Sequence, residues 1–276
     1  MDDIRTILKR VEVLPVSPSL LPKLLSYLSD VNANFDDVVK IISIDPALTA
    51  KLLQICNSAF FGQEEPISTV ADAVNRVGYQ SIYLLAAIIN GSNSFPTPSP
   101  AGIDTGKLWK HSVSAAFNTK FCADSAGQDA SLLFTAGLMH DIGKVVMAQV
   151  VPVKTLSPFH LPSDADAIAK EKMALGHTHA EIGAVLMENW NLPPDLIACV
   201  RHHQDPAAGG EHGKLAACVA IGSALAHSPD HPRVLDTAEF KGAMTILKMD
   251  SSHLKRWHRQ FDDAQDLIAG MSRLPL

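Results

Sequence analysis

Apolar residues recur at helical spacing along most of this chain, whereas the alternation typical of half-buried strands is absent. A clear example is the stripe Leu48, Leu52 and Ile55, which follows Asp45 as N-cap and Pro46 at the first helical position. The pattern therefore predicts an all-α, multi-helical fold. The predicted helices cover residues 35–42, 46–55, 70–77, 82–89, 107–123, 130–149, 179–190, 195–202 and 214–226, and a helical tail runs to residue 270.

One segment breaks this helical pattern and predicts a boundary. Residues 91–102 contain three prolines and two glycines, which no helix tolerates. We interpret the segment as the junction between two helical lobes. A long surface loop within one domain is an equally good interpretation.

Composition and charge limit the function classes. The chain has 276 residues, of which 47% are hydrophobic and 19% charged, so it can bury a substantial core and is neither disordered nor fibrous. Its net charge of −6 argues against general attraction to nucleic acid or to anionic lipid. We therefore expect neither a nucleic-acid nor a membrane partner.

The N-terminus and the cysteines predict a cytoplasmic location. The chain begins without a basic or apolar leader, and its longest apolar stretch, residues 216–226, is too short to span a bilayer. The four cysteines are far apart and form no CxxC pair, so disulfides are not expected.

The histidines carry the candidate chemistry. Five of the twelve, together with Asp141, form a set suited to one or two transition-metal ions, because imidazole binds such ions and a carboxylate can bridge two of them. The alternative is a group of hydrogen-bonded core histidines. Spacing excludes a zincin, and the absence of paired cysteines excludes a zinc finger. The five histidines are His111, His140, His179, His202 and His203. We expect exposed positions for His177, His212, His227, His231, His253 and His258.

Several motifs resemble a known family. The run from Ala136 to Lys144, AGLMHDIGK, resembles the signature of the HD superfamily of metal-dependent phosphohydrolases. More specifically, the chain resembles the HDOD family, the HD-related output domains of bacterial signalling. The stretches that carry this likeness are 42–53 (ISIDPALTAKLL), 56–62 (CNSAFFG), 70–78 (VADAVNRVG) and 179–186 (HAEIGAVL), with the pair His202-His203 after them. The resemblance covers about residues 11 to 226.

The resemblance implies an architecture and a ligand set. It implies an N-terminal helical lobe over residues 1–95, an HD-type helical lobe over 103–226 and a C-terminal helical extension over 227–276. His111, His140 and Asp141 match a first metal site, and His179, His202 and His203 match ligands of a second. Asp141 would bridge the two ions, and Lys144 matches a lysine that faces a substrate phosphate, so these two are the candidate catalytic residues. The ions would be iron, manganese, nickel or zinc.

Two departures from the pattern bear on activity. HD enzymes complete the first site with a late aspartate, and Ser223 occupies that place here. The Gly-Tyr-Pro signature of HD-type cyclic-dinucleotide phosphodiesterases is also missing after His203. The resemblance therefore favours a regulatory signalling module that retains metal, has a nucleotide as a candidate ligand and contacts signalling proteins in trans. The alternative functions are a metal-dependent phosphohydrolase or phosphodiesterase acting on a nucleotide or cyclic nucleotide, and a structural scaffold without metal.

Overall fold

The structure is a computed structural model that describes residues 3–10, 39, 42–43, 46–57, 66–78, 82, 86, 105–150, 165–190, 192–227 and 235–264. Within these ranges the regular structure is helical, and no strand occurs. The helices before residue 105 are α1 (Ile4–Lys9), α2 (Pro46–Cys56) and α3 (Val70–Val77). The all-α fold class predicted from the sequence is thereby confirmed.

The remaining helices lie between residues 105 and 263, and the name HD-like lobe is used below for those within residues 105–227. They are α4 (Thr105–Ala126), α5 (Ala130–Met139), α6 (Ile142–Val150), α7 (Ala165–Leu175), α8 (His179–Asn189), α9 (Pro194–His202), a 3-10 helix (Pro206–His212), α10 (Gly213–His227), α11 (Ala238–Ile246) and α12 (Ser251–Asp263). None of the helices in the described ranges is long and apolar enough to cross a membrane. All four cysteines are buried and unpaired by disulfides.

The centre of the HD-like lobe is the packing of α4 against α10 and α5. Phe134 of α5 is fully buried there, with its ring centroid 5.3 Å from that of Phe117 in α4. The tail helix α12 covers the far end of α4, where the Trp257 indole N–H donates to Ser125 Oγ at 3.0 Å. The long helix α4, which carries His111, is therefore held along most of its length.

Gly222 lets α10 approach α4 closely, and its replacement by alanine is expected to destabilise the fold. A Cβ at this position would collide with Thr119 Oγ1 and would lie 2.9 Å from the Ala115 carbonyl oxygen. We expect Gly222→Ala to lower the free energy of unfolding by about 3 kcal/mol, since overpacking a tight core forces backbone shifts. Urea denaturation followed by circular dichroism measures this.

The matched control is Gly242→Ala in the middle of α11, where nothing lies within 4 Å of the added Cβ. This change is expected to raise the free energy of unfolding by about 0.5–1 kcal/mol, because alanine has the higher helix propensity. Equal stability of the two variants would contradict the close packing of α4 and α10.

The structure differs from the predicted helices at several places. The single helix expected over 130–149 is broken at His140 and Asp141 into α5 and α6. The helices α1 and α7 and the 3-10 helix were not predicted. Most of the helix predicted over 82–89 and the whole of segment 91–102 lie outside the described residues, so the lobe boundary remains a prediction.

Candidate metal centre

Four separate parts of the HD-like lobe deliver the candidate ligands to one place. His111 lies in the second turn of α4, and His140 and Asp141 occupy the break between α5 and α6. His179 is the first residue of α8, and His203 directly follows α9. All are buried except His111, which is partly exposed.

The break at His140 and Asp141 allows both side chains to face the same site. Adjacent residues in a continuous helix point about 100° apart, so a regular helix would turn one of them away. Gly143 then brings α6 against α8, because a Cβ there would collide with the His179 carbonyl oxygen. This close approach places Asp141 beside His179.

The carboxylate of Asp141 lies at the middle of the cluster. Its Oδ2 is 3.4 Å from His140 Nε2 and 3.6 Å from His111 Nε2, and its Oδ1 is 3.1 Å from His179 Nε2. The remaining imidazole, His203, has its Nε2 3.3 Å from His179 Nε2. Two groups of three ligand atoms, each within 4.8 Å of one another, therefore share Asp141. We refer to His111, His140 and Asp141 as the first half-site, and to Asp141, His179 and His203 as the second.

Bonds on the outer side of the rings determine which nitrogens face the centre. His140 Nδ1 donates to the Gly137 carbonyl at 2.8 Å, and His203 Nδ1 donates to the Val200 carbonyl at 2.7 Å. Because a carbonyl can only accept, both Nδ1 atoms carry protons, and the neutral rings present Nε2 lone pairs to the cluster. His179 Nδ1 faces the carboxylate of Glu171 at 2.8 Å, which favours the same arrangement.

The pKa shifts agree with this geometry. Burial lowers the pKa values of His111, His140 and His203, so these rings are neutral at neutral pH. Burial alone would raise the pKa of Asp141, but His140, Lys144 and His179 hold it well below its usual range. Burial alone would lower the pKa of His179, and the Glu171 carboxylate raises it instead.

The donor set fits a transition-metal ion. Lone pairs of buried imidazoles converge on an ionised carboxylate, and Asp141 Oδ1 accepts no hydrogen bond of good geometry although His179 Nε2 is 3.1 Å away. Such a concentration of acceptors is unfavourable without a cation. Imidazole with carboxylate is the combination that zinc, iron, manganese and nickel accept.

The other predicted site residues have different surroundings. Lys144 is buried with its Nζ 2.9 Å from Asp141 Oδ2. Ser223 Oγ lies 3.4 Å from His111 Nε2, at the edge of the first half-site. His202 is not brought to the cluster: it is partly exposed, and the charged groups near it are Arg201, His212 and Asp205.

Three residues that contact the cluster were not identified from the sequence. Glu171 on α7 binds His179, and the side-chain amide of Gln204 lies against the same ring. His227, expected to be exposed, is instead partly buried, with its ring stacked on that of His111 at a centroid distance of 3.9 Å. Its spacing of one helical turn from Ser223 is the signal that places it on the same face of α10.

Most of this chain matches the model of one protein family. The model of the HDOD domain matches residues 14–206, which is more than half of the chain. The chain belongs to the HDOD domain family. The resemblance found in the motifs of the sequence is thereby confirmed.

Two solved structures and one curated sequence are similar to this HDOD chain. An HDOD domain protein of unknown function from Geobacter sulfurreducens superposes with a TM-score of 0.77 at 22% identity, covering 99% of this chain and 97% of that one. A protein of Shewanella amazonensis SB2B named "Putative phosphohydrolase" superposes with a TM-score of 0.76 at 25% identity, covering 98% of each chain. An uncharacterized protein of Treponema pallidum (strain Nichols) is 27% identical over 221 residues, which are 78% of this chain and 42% of that protein. The chain thus spans less than half the length of this curated relative.

Proposed function

We propose that this HDOD chain is a regulatory module of bacterial signal transduction that holds a transition-metal ion and acts mainly through contacts with other proteins in the cytoplasm. The observation that carries the proposal is the buried cluster of imidazoles around Asp141, which lacks an anionic side chain at Ser223. The chain retains the groups that bind metal, whereas a group that complete HD enzymes use is replaced by a neutral hydroxyl.

The residues of the cluster have distinct roles in this proposal. Asp141 and the four imidazoles would hold the ion or ions, with Asp141 shared between the half-sites. When bound, a transition-metal ion supplies Lewis acidity that can polarise a phosphoryl oxygen and activate water. The Lys144 Nζ lies 2.9 Å from Asp141 Oδ2, so the side chain is directed at the cluster and offsets the buried charge of the carboxylate.

A metal-dependent phosphohydrolase acting on a nucleotide or cyclic nucleotide is the second candidate. The intact His140-Asp141 pair in the first half-site supports it, as does the likeness to the Shewanella protein, which carries a phosphohydrolase name. Ser223 argues against it, because a serine hydroxyl is a weaker metal ligand than a carboxylate.

Metal content and turnover, measured on the same preparation, distinguish these functions. The chain is purified without chelator, its metals are quantified, and it is assayed with added manganese or iron against nucleotides, cyclic dinucleotides and a generic phosphodiester. We expect about one tightly bound ion per chain and no turnover. His203→Ala is expected to lose the ion, and His258→Ala on the exposed face of α12 is the matched control that keeps it.

Two other outcomes would overturn part of this proposal. Turnover that disappears in His203→Ala would overturn the regulatory proposal and establish the phosphohydrolase. Absence of metal from both the unaltered chain and His258→Ala would overturn the metal site and favour a scaffold of core histidines.

A further inference from the structure

Glu171 is a buried carboxylate whose described hydrogen bonds all go to His179. Its Oε1 and Oε2 lie 2.8 and 2.9 Å from His179 Nδ1, and Oε2 also accepts the backbone N–H of His179 at 2.9 Å. The residue is only 4% exposed and comes from α7, a different helix from the one that begins at His179. Burial of an unpaired carboxylate is strongly unfavourable, so the contact with His179 is what allows Glu171 to be buried.

The other three imidazoles have weaker outer partners. His140 and His203 each bond a neutral carbonyl three residues earlier, in the last turn of the helix that precedes them. His111 Nδ1 is buried, and none of the described residues makes a hydrogen bond to it. An anionic outer partner therefore distinguishes His179 from the other ligands in the described structure.

Gln204 holds the same ring from another direction. Its amide nitrogen lies 2.9 Å from His179 Nε2 and 3.3 Å from His179 Nδ1. If the amide nitrogen lay along the lone pair of Nε2 or of Nδ1, it would be much nearer to that ring nitrogen than to the other. Its two distances are similar, so the amide lies against the face of the ring. The Nε2 lone pair of His179 is thereby left directed towards Asp141 and His203.

We infer that Glu171 is a positioning residue that makes the second half-site the tighter of the two for a divalent transition-metal ion. The carboxylate fixes the ring orientation of His179, keeps Nε2 as the ligand atom and makes it more basic, as carboxylate–histidine pairs do in metal sites. The first half-site contains no such carboxylate–histidine pair within the described residues, because none of them makes a hydrogen bond to His111 Nδ1 and Ser223 is neutral. This inference rests on the proposed metal-binding function.

Cobalt(II) binding to Glu171→Gln tests the inference. The substitution keeps the shape of the side chain and one acceptor for Nδ1, but it removes the charge. We expect the tighter cobalt ion, measured by chelator competition and by its visible absorption, to bind about 10–100-fold more weakly. Glu188→Gln is the matched control, since Glu188 is exposed on α8, where it pairs with Arg201 at 2.6 Å, and its cobalt affinity should not change.

Two further measurements separate positioning from a general structural role. His111→Ala should retain the tighter ion and His179→Ala should lose it, which assigns that ion to the second half-site. In the metal-free protein, nitrogen-15 NMR of the imidazoles should show a proton on His179 Nδ1, with a chemical shift that changes in Glu171→Gln. Circular dichroism and urea denaturation of Glu171→Gln report its folding separately.

The outcomes discriminate between this inference and the function on which it rests. Equal cobalt affinity in the unaltered chain and a folded Glu171→Gln would overturn the role of Glu171 but leave the metal site intact. Absence of cobalt binding in the unaltered chain would overturn the metal-binding function itself. Where Glu171→Gln does not fold, the NMR of the unaltered chain decides, because a His179 ring without a proton on Nδ1 contradicts the inference.

Discussion

Replacement of Asp141 by asparagine is expected to abolish metal binding at both half-sites. The two carboxylate oxygens face different partners: Oδ2 is 3.4 Å from His140 Nε2, and Oδ1 is 3.1 Å from His179 Nε2. Asparagine has the same shape but only one oxygen acceptor and no charge, so neither set of imidazoles keeps an anionic ligand. The loss of affinity should exceed the ~100-fold that removal of an outer partner costs. Metal analysis and cobalt titration of the variant measure it.

His202→Ala is the control for this prediction. His202 is a neighbour of His203 in sequence, but it is partly exposed and belongs to neither half-site. Its replacement should leave the metal content unchanged. A loss of metal in His202→Ala would show that this residue is a ligand, as the resemblance of the sequence implies, and would contradict the arrangement of the cluster described above.

Replacement of Ser223 by aspartate is expected to raise the metal content from about one to about two ions per chain. Ser223 Oγ lies 3.4 Å from His111 Nε2, so a carboxylate at this position would face the first half-site. An anionic oxygen is a much stronger ligand for a divalent ion than a hydroxyl is. Elemental analysis of the protein, together with a titration that resolves the weaker ion, measures the change.

Ser223→Asn separates charge from size in this experiment. Asparagine has nearly the volume of aspartate and is neutral, so this variant should stay at the metal content of the unaltered chain. An equal increase in metal content in both variants would mean that packing rather than charge limits metal binding at the first half-site. Hydrolysis of a generic phosphodiester by Ser223→Asp, with none by Ser223→Asn, would connect the missing carboxylate with the absence of turnover.

Most of the fold is predictable from local patterns because helices are defined by interactions close in sequence. Capping residues and apolar stripes predicted α2 and α3 with nearly the observed limits, and Gly78, with φ of 92°, ends α3 as expected. The break at His140 and Asp141 was not predicted. The segment from 130 to 149 has an apolar pattern without a glycine or proline signal at the break, and in the folded chain the second of its two helices packs closely on His179 through Gly143.

The candidate ligands were predicted better than their supporting residues. His140, Asp141, His179 and His203 stand in the motifs that carry the resemblance, and the same resemblance implied His111. The structure brings these five together. Glu171 stands in no such motif: it precedes His179 by eight residues on a helix that the sequence pattern did not predict. His227 was expected to be exposed, because its polar neighbours in sequence do not reveal that its ring stacks on His111.

The sequence by itself determined that the protein is all-α and that it carries an HDOD set of potential metal ligands, and its resemblance to HD enzymes implied that Ser223 occupies the place of their late aspartate. These features depend on residue identity and short-range periodicity, which the chain displays directly. Only the tertiary structure decided that His202 lies outside the half-sites, that His227 stacks on His111 and that Glu171 binds His179. These relations join residues on separate helices, and their distances follow from how those helices pack.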